Sequence, residues 1–251
     1  MQKGMVDLAK YQDIIEYRKD KDDYQMSGSE GYCFLERNKI IKIYAHPKEV
    51  HRITDLTDYK SERIAFPIYY IYKKGLVYGE VMPYFKAKTL DAALGVNTRV
   101  ENITYHYQNI IDIINVFNDL LMIDISYARN ILYSPTKGFY LIDTTAWEKD
   151  KEKNSQNIHA FDACLFNRIC PIIFDSCLPI HVLLDIKDRF WLIKNDVLGK
   201  EFFDLLNANL KGDYHIIELF DAYKSVVKTY YNDDVKTLGD VKKYTKIMKN
   251  S

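Results

Sequence analysis

The feature that most constrains this chain is the stretch 124–147, where a polar loop, two short apolar runs and a lone carboxylate follow one another. The loop, 124–130, leads into Ile131-Leu132-Tyr133. Ser134-Pro135-Thr136-Lys137-Gly138 then has the Pro and Gly of a hairpin connection. A second run, Phe139-Tyr140-Leu141-Ile142, ends on Asp143. Pairing the two runs predicts Asn130 and Asp143 at one end of the hairpin. A carboxylate and an amide oxygen converging there suit a hard divalent cation, which takes oxygen ligands.

A second stretch, 24–44, carries its own signal. Two β-rich runs, 32–35 and 40–44, flank a polar turn, and Ser27-Gly28-Ser29-Glu30-Gly31 precedes them. Glycines at 28 and 31 let a backbone approach a phosphate and aim its N–H groups at it. Alternation puts Ile41 and Ile43 on one strand face and Lys42 on the other. A lysine inside an apolar strand needs an anionic partner, because an unpaired buried ammonium is costly. The plain alternative is a hairpin turn before a surface lysine.

Together these pieces resemble the protein-kinase-like superfamily, in a divergent bacterial or phage-type form. That family carries a Gly-rich loop, a strand lysine, a catalytic loop ending in Asn, and an Asp after the next strand pair. The resemblance implies an α+β, two-lobed fold: residues 1–84 as an N-lobe with a small antiparallel β-sheet and one helix, residues 85–251 as a mainly helical C-lobe. It implies ATP and Mg2+ as the bound species. Gly28 and Gly31 resemble the phosphate-covering glycines, with Met26 in place of the first. Lys42 resembles the α/β-phosphate lysine. Met82 and Tyr84 stand at the hinge, where backbone groups would meet adenine. Asn130 and Asp143 resemble the metal ligands, with Thr144-Thr145 in place of Phe-Gly. Five residues before Asn130, where the family has its catalytic Asp, stands Ile125, and Asp124 lies one further back. Asp124 is the candidate catalytic carboxylate if the loop holds one extra residue.

Two functions follow from the resemblance. One is an ATP-dependent phosphotransferase acting on a protein or small-molecule hydroxyl. The other is a pseudokinase, a nucleotide-binding module without turnover, favoured by the departures at 26, 125 and 144–145. Only about a dozen residues separate Asp143 from the apolar run at Ile158, a short platform for a peptide acceptor.

The rest is read from pattern. Residues 1–19 read as a short amphipathic helix, and 47–59 as a helix with Pro47 in its first turn. By the resemblance that helix would supply the acid that pairs with Lys42, and Glu49, Asp55 and Glu62 are all open candidates, each otherwise a solvated charge. Runs 68–72 and 76–82 read as a strand pair. Residues 102–123 show apolar positions at three and four, the mark of an amphipathic helix. Residues 158–178 read as a buried helix containing Pro171; Asp162 in its opening turn is either an acid favoured by the macrodipole or, as the resemblance implies, a bonding partner of the catalytic loop. Further helices are expected at 180–193, 200–209 and 214–231, and the basic end, 238–251, as a solvated terminus.

Lys plus Arg and Asp plus Glu both number 35, so no global charge argues for nucleic acid. The 21 tyrosines are spread along the chain and read as core and surface aromatics. The four cysteines form no C-x-x-C pair, which suits free thiols in a reducing, cytoplasmic setting. No run approaches the roughly 18 apolar residues of a membrane helix, so no membrane partner is expected.

Overall fold

The computed structural model of the chain describes residues 4–20, 26–28, 31–149, 154–174 and 216–249. They are α+β and fall into two compact units. The first comprises the residues up to Lys86 together with Tyr140–Lys149; the second comprises Ala87–Phe139 and the described residues beyond 150.

The first unit is built on a six-stranded sheet. Its strands are β1 (Met5–Asp7), β2 (Met26–Gly28), β3 (Gly31–Glu36), β4 (Lys39–Glu49), β5 (Tyr69–Lys73) and β6 (Leu76–Pro83), in the order β1-β5-β6-β4-β3-β2. The sheet is mixed rather than antiparallel throughout, because β1 runs parallel to β5. The first 19 residues therefore hold an edge strand as well as a helix, α1 (Ala9–Asp20). Tyr and β-branched residues dominate β4 to β6, and they favour a pleated, half-buried surface. Lys74 and Gly75 both take positive φ, 50° and 84°, the requirement of the two-residue turn that joins β5 to β6.

Each face of this sheet has its own packing. Phe34, Ile41, Ile43, Ile71 and Val81 lie buried together with Tyr11 and Ile15 of α1. Tyr44, Tyr70 and Val77 form the opposite cluster, joined by the half-buried Met5, Val50 and Ile53.

The expected helix over 47–59 does not form. β4 continues to Glu49, resuming its pairing with β6 after an irregularity between Ile43 and Lys48, and a short 3-10 turn, Val50–Arg52, follows. Two physical reasons apply. Ladder pairing of Lys48 with Val77 and Glu49 with Leu76 holds the start extended. Further on, Asp55 Oδ1 accepts from the Thr57 N–H and hydroxyl, at 3.0 and 2.7 Å, offering the backbone a local turn instead of a helix.

The second unit begins with β7 (Lys88–Thr89), α2 (Leu90–Ala93) and α3 (Val100–Val116). Val100, Ile103, Tyr107, Ile110, Ile111 and Ile114 form the buried stripe of α3, as the sequence spacing predicts. That helix is shorter than the pattern 102–123: it stops at Phe117, and β8 (Leu120–Leu121) follows in extended form. β9 (Ile131–Ser134) pairs antiparallel with β7 and is the middle strand of a three-stranded sheet. Its turn is closed by the Lys137 N–H donating to the Ser134 carbonyl at 3.2 Å, and Gly138 takes φ 90°. β10 (Gly138–Leu141) starts in this unit and ends in the first, which closes with β11 (Glu148–Lys149).

α4 (Asn154–Phe174) carries Pro171 without ending there, and α5 (Ile216–Tyr231) agrees with the expected 214–231. The helices expected at 180–193 and 200–209, like residues 175–178, lie outside the described residues. The basic end is a helix, α6 (Leu238–Lys249), not a solvated terminus. Leu238, Val241 and Tyr244 are buried while Lys243 is exposed, the pattern of an amphipathic element. Among the described residues no helix is long and apolar enough to cross a membrane.

Gly31 has a packing role that its sequence context did not reveal. It sits at φ 141°, and a Cβ there would lie 1.8 Å from the Ile43 carbonyl oxygen. Gly31→Ala is expected to cost about 2 kcal/mol or more through strain and clash, read as a fall in the urea midpoint with an unchanged m-value.

Candidate functional site

The site in the first unit is built by strand register. Tyr70 of β5 pairs with Glu80 of β6, Glu80 pairs with Lys42 of β4, Lys42 pairs with Cys33 of β3, and Cys33 with Met26 of β2. Directly opposed residues on neighbouring strands point to the same face, with Cβ atoms about 5 Å apart. Lys42 therefore stands in a row across five strands, on the same face as Tyr44 and opposite to Ile41 and Ile43. Its side chain is only 8% exposed.

Asp143 reaches this row from residues 140–149, which are fastened to the segment 59–66. Leu141 donates its N–H to the Arg63 carbonyl and accepts from the Ala65 N–H, at 2.8 and 2.9 Å. Phe66 meets Trp147 edge-on, and Phe85 stacks on Tyr140 at 4.5 Å. Asp143 then turns through the left-handed region, φ 60° and ψ 61°. That conformation costs a non-glycine residue about 1–3 kcal/mol and persists only where its surroundings impose it.

The result is a compact polar cluster. Lys42 Nζ donates to Asp143 Oδ1 at 2.5 Å and to Thr145 Oγ1 at 3.0 Å. The Thr145 hydroxyl lies 2.7 Å from Glu80 Oε1 and 3.0 Å from Asp143 Oδ1, and its single proton serves one of them at a time. Glu80 is fully buried, and its Oε2 has no hydrogen-bond partner among the described residues. Burial raises the Glu80 carboxyl above its usual range, while Lys42 and the Thr145 bond oppose that rise. Burial likewise pushes the Cys33 thiol up to about 11, against the lowering effect of Lys42. The Tyr44 hydroxyl is raised well above its ordinary value by burial first and by the Glu80 charge second.

None of the three acids expected to pair with Lys42 does so. Glu49 is half-exposed and bonds Arg52 and His51, both at 3.2 Å. Asp55 closes the turn at Thr57. Glu62 lines a cleft of about 470 Å³ with Tyr59, Phe66, Ile68 and Pro83. Besides Asp143, the acid on the strand next to Lys42 is Glu80, bridged to it by the Thr145 hydroxyl. Its signal was legible: a lone Glu in the apolar run 76–82, facing a lone Lys in the neighbouring apolar run.

The other first-unit candidates are placed as follows. Gly28 and Gly31 oppose each other across the β2–β3 pair. Met82 is buried and pairs with Ile40. Tyr84 is exposed, and its N–H donates to the Asn38 carbonyl at 3.2 Å, so that donor is committed within the sheet unit.

Asp124 and Asn130 belong to the second unit. Asp124 is half-buried and also left-handed, at φ 67°. Its carbonyl accepts from the Tyr127 N–H at 3.0 Å and from Asn130 Nδ2 at 3.1 Å, which fixes the loop and leaves the Asn130 amide oxygen as its acceptor end. Ile125 is buried, 3% exposed, so the loop's carboxylate is supplied by Asp124. Asn157 of α4 grips the approach to the loop: its Oδ1 accepts from the Met122 N–H at 2.9 Å, and its Nδ2 donates to the Leu120 carbonyl at 2.7 Å. Asp162, the resemblance's candidate for a bond to the loop, bonds the Tyr107 hydroxyl.

Asp143 offers one carboxylate and Asn130 one amide oxygen. Among the described residues no group of three or more His, Cys, Asp or Glu side chains could hold a metal ion. Compared with known protein families and curated proteins, the chain matches no family model and no curated sequence.

The raised Glu80 carboxyl sets a pH dependence. Lys42, Asp143 and Lys48 are the charges that act on it. Above its unfolded value of 4.5 and below its raised folded value, the folded state holds a proton that the unfolded chain has released. Stability therefore falls as pH rises through that window. Melting temperatures taken from pH 5 upward are expected to decline in the wild type relative to Glu80→Gln, which lacks that slope; parallel profiles would refute the assignment.

Proposed function

We propose that the chain is a kinase-like ATP-dependent phosphotransferase. The observation that carries this reading is the Lys42–Asp143 ion pair, closed at 2.5 Å between residues 101 positions apart. A buried strand lysine and an acid in a strained turn are brought together at the two positions that the kinase-like pattern singles out. An ion pair with one partner buried and the other, Asp143, partly exposed contributes little net stability, since desolvation and solvent screening offset its attraction. Retaining one on a sheet face therefore argues for use rather than for folding alone.

In this reading Lys42 leaves Asp143 to meet the α/β-phosphates, and Gly28 and Gly31 lie over the phosphate chain. Asp143 would hold magnesium in the first unit, Asn130 is the candidate ligand of the second, and the ion would supply neutralising charge to the phosphates. Backbone groups around Met82 and Tyr84 face the adenine. Asp124 accepts the proton of the acceptor hydroxyl while its oxygen bonds to the γ-phosphorus and the bond to the β-phosphate oxygen breaks, releasing ADP. The protein's contribution is position and fixed charge, as phosphoryl transfer demands. The acceptor is a hydroxyl of a protein or small molecule.

A second reading, nucleotide binding without turnover, is favoured by the buried Ile125 at the position where the family has its base. Calorimetry with magnesium and a non-hydrolysable ATP analogue, paired with transfer of labelled γ-phosphate, separates the two. Phosphotransfer predicts measurable turnover, abolished by Asp124→Ala with nucleotide affinity kept within about threefold. Binding with no turnover in the wild type selects the second reading. Lys42→Ala and Asp143→Asn should each weaken nucleotide binding at least tenfold, and a wild type that binds no nucleotide sinks both readings.

A further inference from the structure

In the kinase-like pattern the strand lysine is steadied by an acid from a helix. The described residues of the first unit put no α-helix at 47–59; of the three acids considered there, Glu49 and Asp55 bond other groups and Glu62 lines the cleft beside Tyr59. The structure points to a different arrangement.

We propose that Glu80, acting through the Thr145 hydroxyl, is the positioning residue that fixes Lys42, so that the anchoring lysine is set by the sheet and not by a movable helix. Register carries the argument first. Glu80 is the cross-strand partner of Lys42, and the sheet holds their backbones together whatever occupies the site. Gly79 tightens this contact, since a Cβ there would lie 2.1 Å from the Lys42 carbonyl oxygen.

Hydrogen bonding carries it second. With the Thr145 proton on Glu80 Oε1, at 2.7 Å, the lone pairs of the same oxygen face the Lys42 ammonium at 3.0 Å. The hydroxyl thus relays the carboxylate's pull onto Nζ and keeps it turned towards Asp143. Burial carries it third. A fully buried carboxylate with one oxygen unpartnered costs free energy that an apolar residue would not. Thr145 also serves this site in place of the glycine of the family's D-F-G, which explains a departure that otherwise reads as loss.

This inference rests on the proposed function only for the anion that Lys42 meets; the placement of Lys42 can be read without nucleotide. The test uses the full chain with 15N-labelled lysine. The Lys42 ammonium resonance, identified by its loss in Lys42→Arg, is followed in nucleotide-free protein at a pH above the window in which Glu80 titrates. Affinity for the magnesium complex of a non-hydrolysable ATP analogue is measured alongside.

Thr145→Val is expected to broaden or erase the protected Lys42 resonance and to weaken nucleotide binding about tenfold, while Thr145→Ser restores both. Glu80→Gln, which keeps the shape and an acceptor for Thr145 but loses the charge, should shift the resonance and fall between. If Thr145→Val does not fold, Glu80→Gln decides by the same two readouts. An unchanged resonance in a folded Thr145→Val or Glu80→Gln overturns the proposal, as does failure of Thr145→Ser to restore it. A wild type that binds no nucleotide, with the resonance still responding to Thr145→Val, overturns the phosphotransferase reading and leaves the positioning role standing.

Discussion

A buried ammonium in the middle of a sheet is the constraint on which the first unit depends. An unpaired lysine there would be expensive, so the surrounding chain is arranged to answer it. β6 brings a carboxylate directly alongside, and the segment 140–149 returns from the second unit's sheet to deliver another carboxylate and a hydroxyl. The opposite face, packed by Phe34, Ile41, Ile71 and Val81 against α1, provides the hydrophobic stability that a polar face cannot.

Both candidate carboxylates sit where the backbone is least comfortable. Asp124 and Asp143 are each left-handed, and each is held by neighbours that leave little freedom. For Asp143 these are the bonds of Leu141 to Arg63 and Ala65 and the ring contacts of Tyr140 and Trp147. For Asp124 they are its carbonyl bonds to Tyr127 and Asn130, with Asn157 fastening the strand before it. Strain supported in this way is what preorganised sites use to aim a side chain.

Much of this was legible in the residues. The hairpin after Asn130, the lysine inside an apolar strand and the buried stripe of α3 follow from turn chemistry and periodicity. The helix at 47–59 was misread because its apolar spacing fits a helix, while strand pairing and the Asp55–Thr57 turn are tertiary and local effects that spacing does not register. The end of α3 was overrun because β8 is as apolar as the helix before it. The terminal lysines of α6 drew attention from Leu238, Val241 and Tyr244, whose spacing of three marks a buried side. Glu80 was overlooked for a different reason. The family pattern directs the search for an acid to a helix, whereas cross-strand complementarity of two isolated opposite charges pointed to the sheet.

The pairing of Glu80 with Lys42 also bears on how the sheet finds its alignment. Side chains alternate along a strand, so slipping β6 by one residue against β4 would swing the carboxylate to the side lined by Phe34 and Ile41 and bring Val81 beside the ammonium. The carboxylate would then be stranded in hydrocarbon, and the ammonium would lose its cross-strand acid. Misaligned versions of this strand pair are thus penalised by electrostatics as well as by packing, and the same two charges that shape the pocket help to tell the folding chain which alignment is correct.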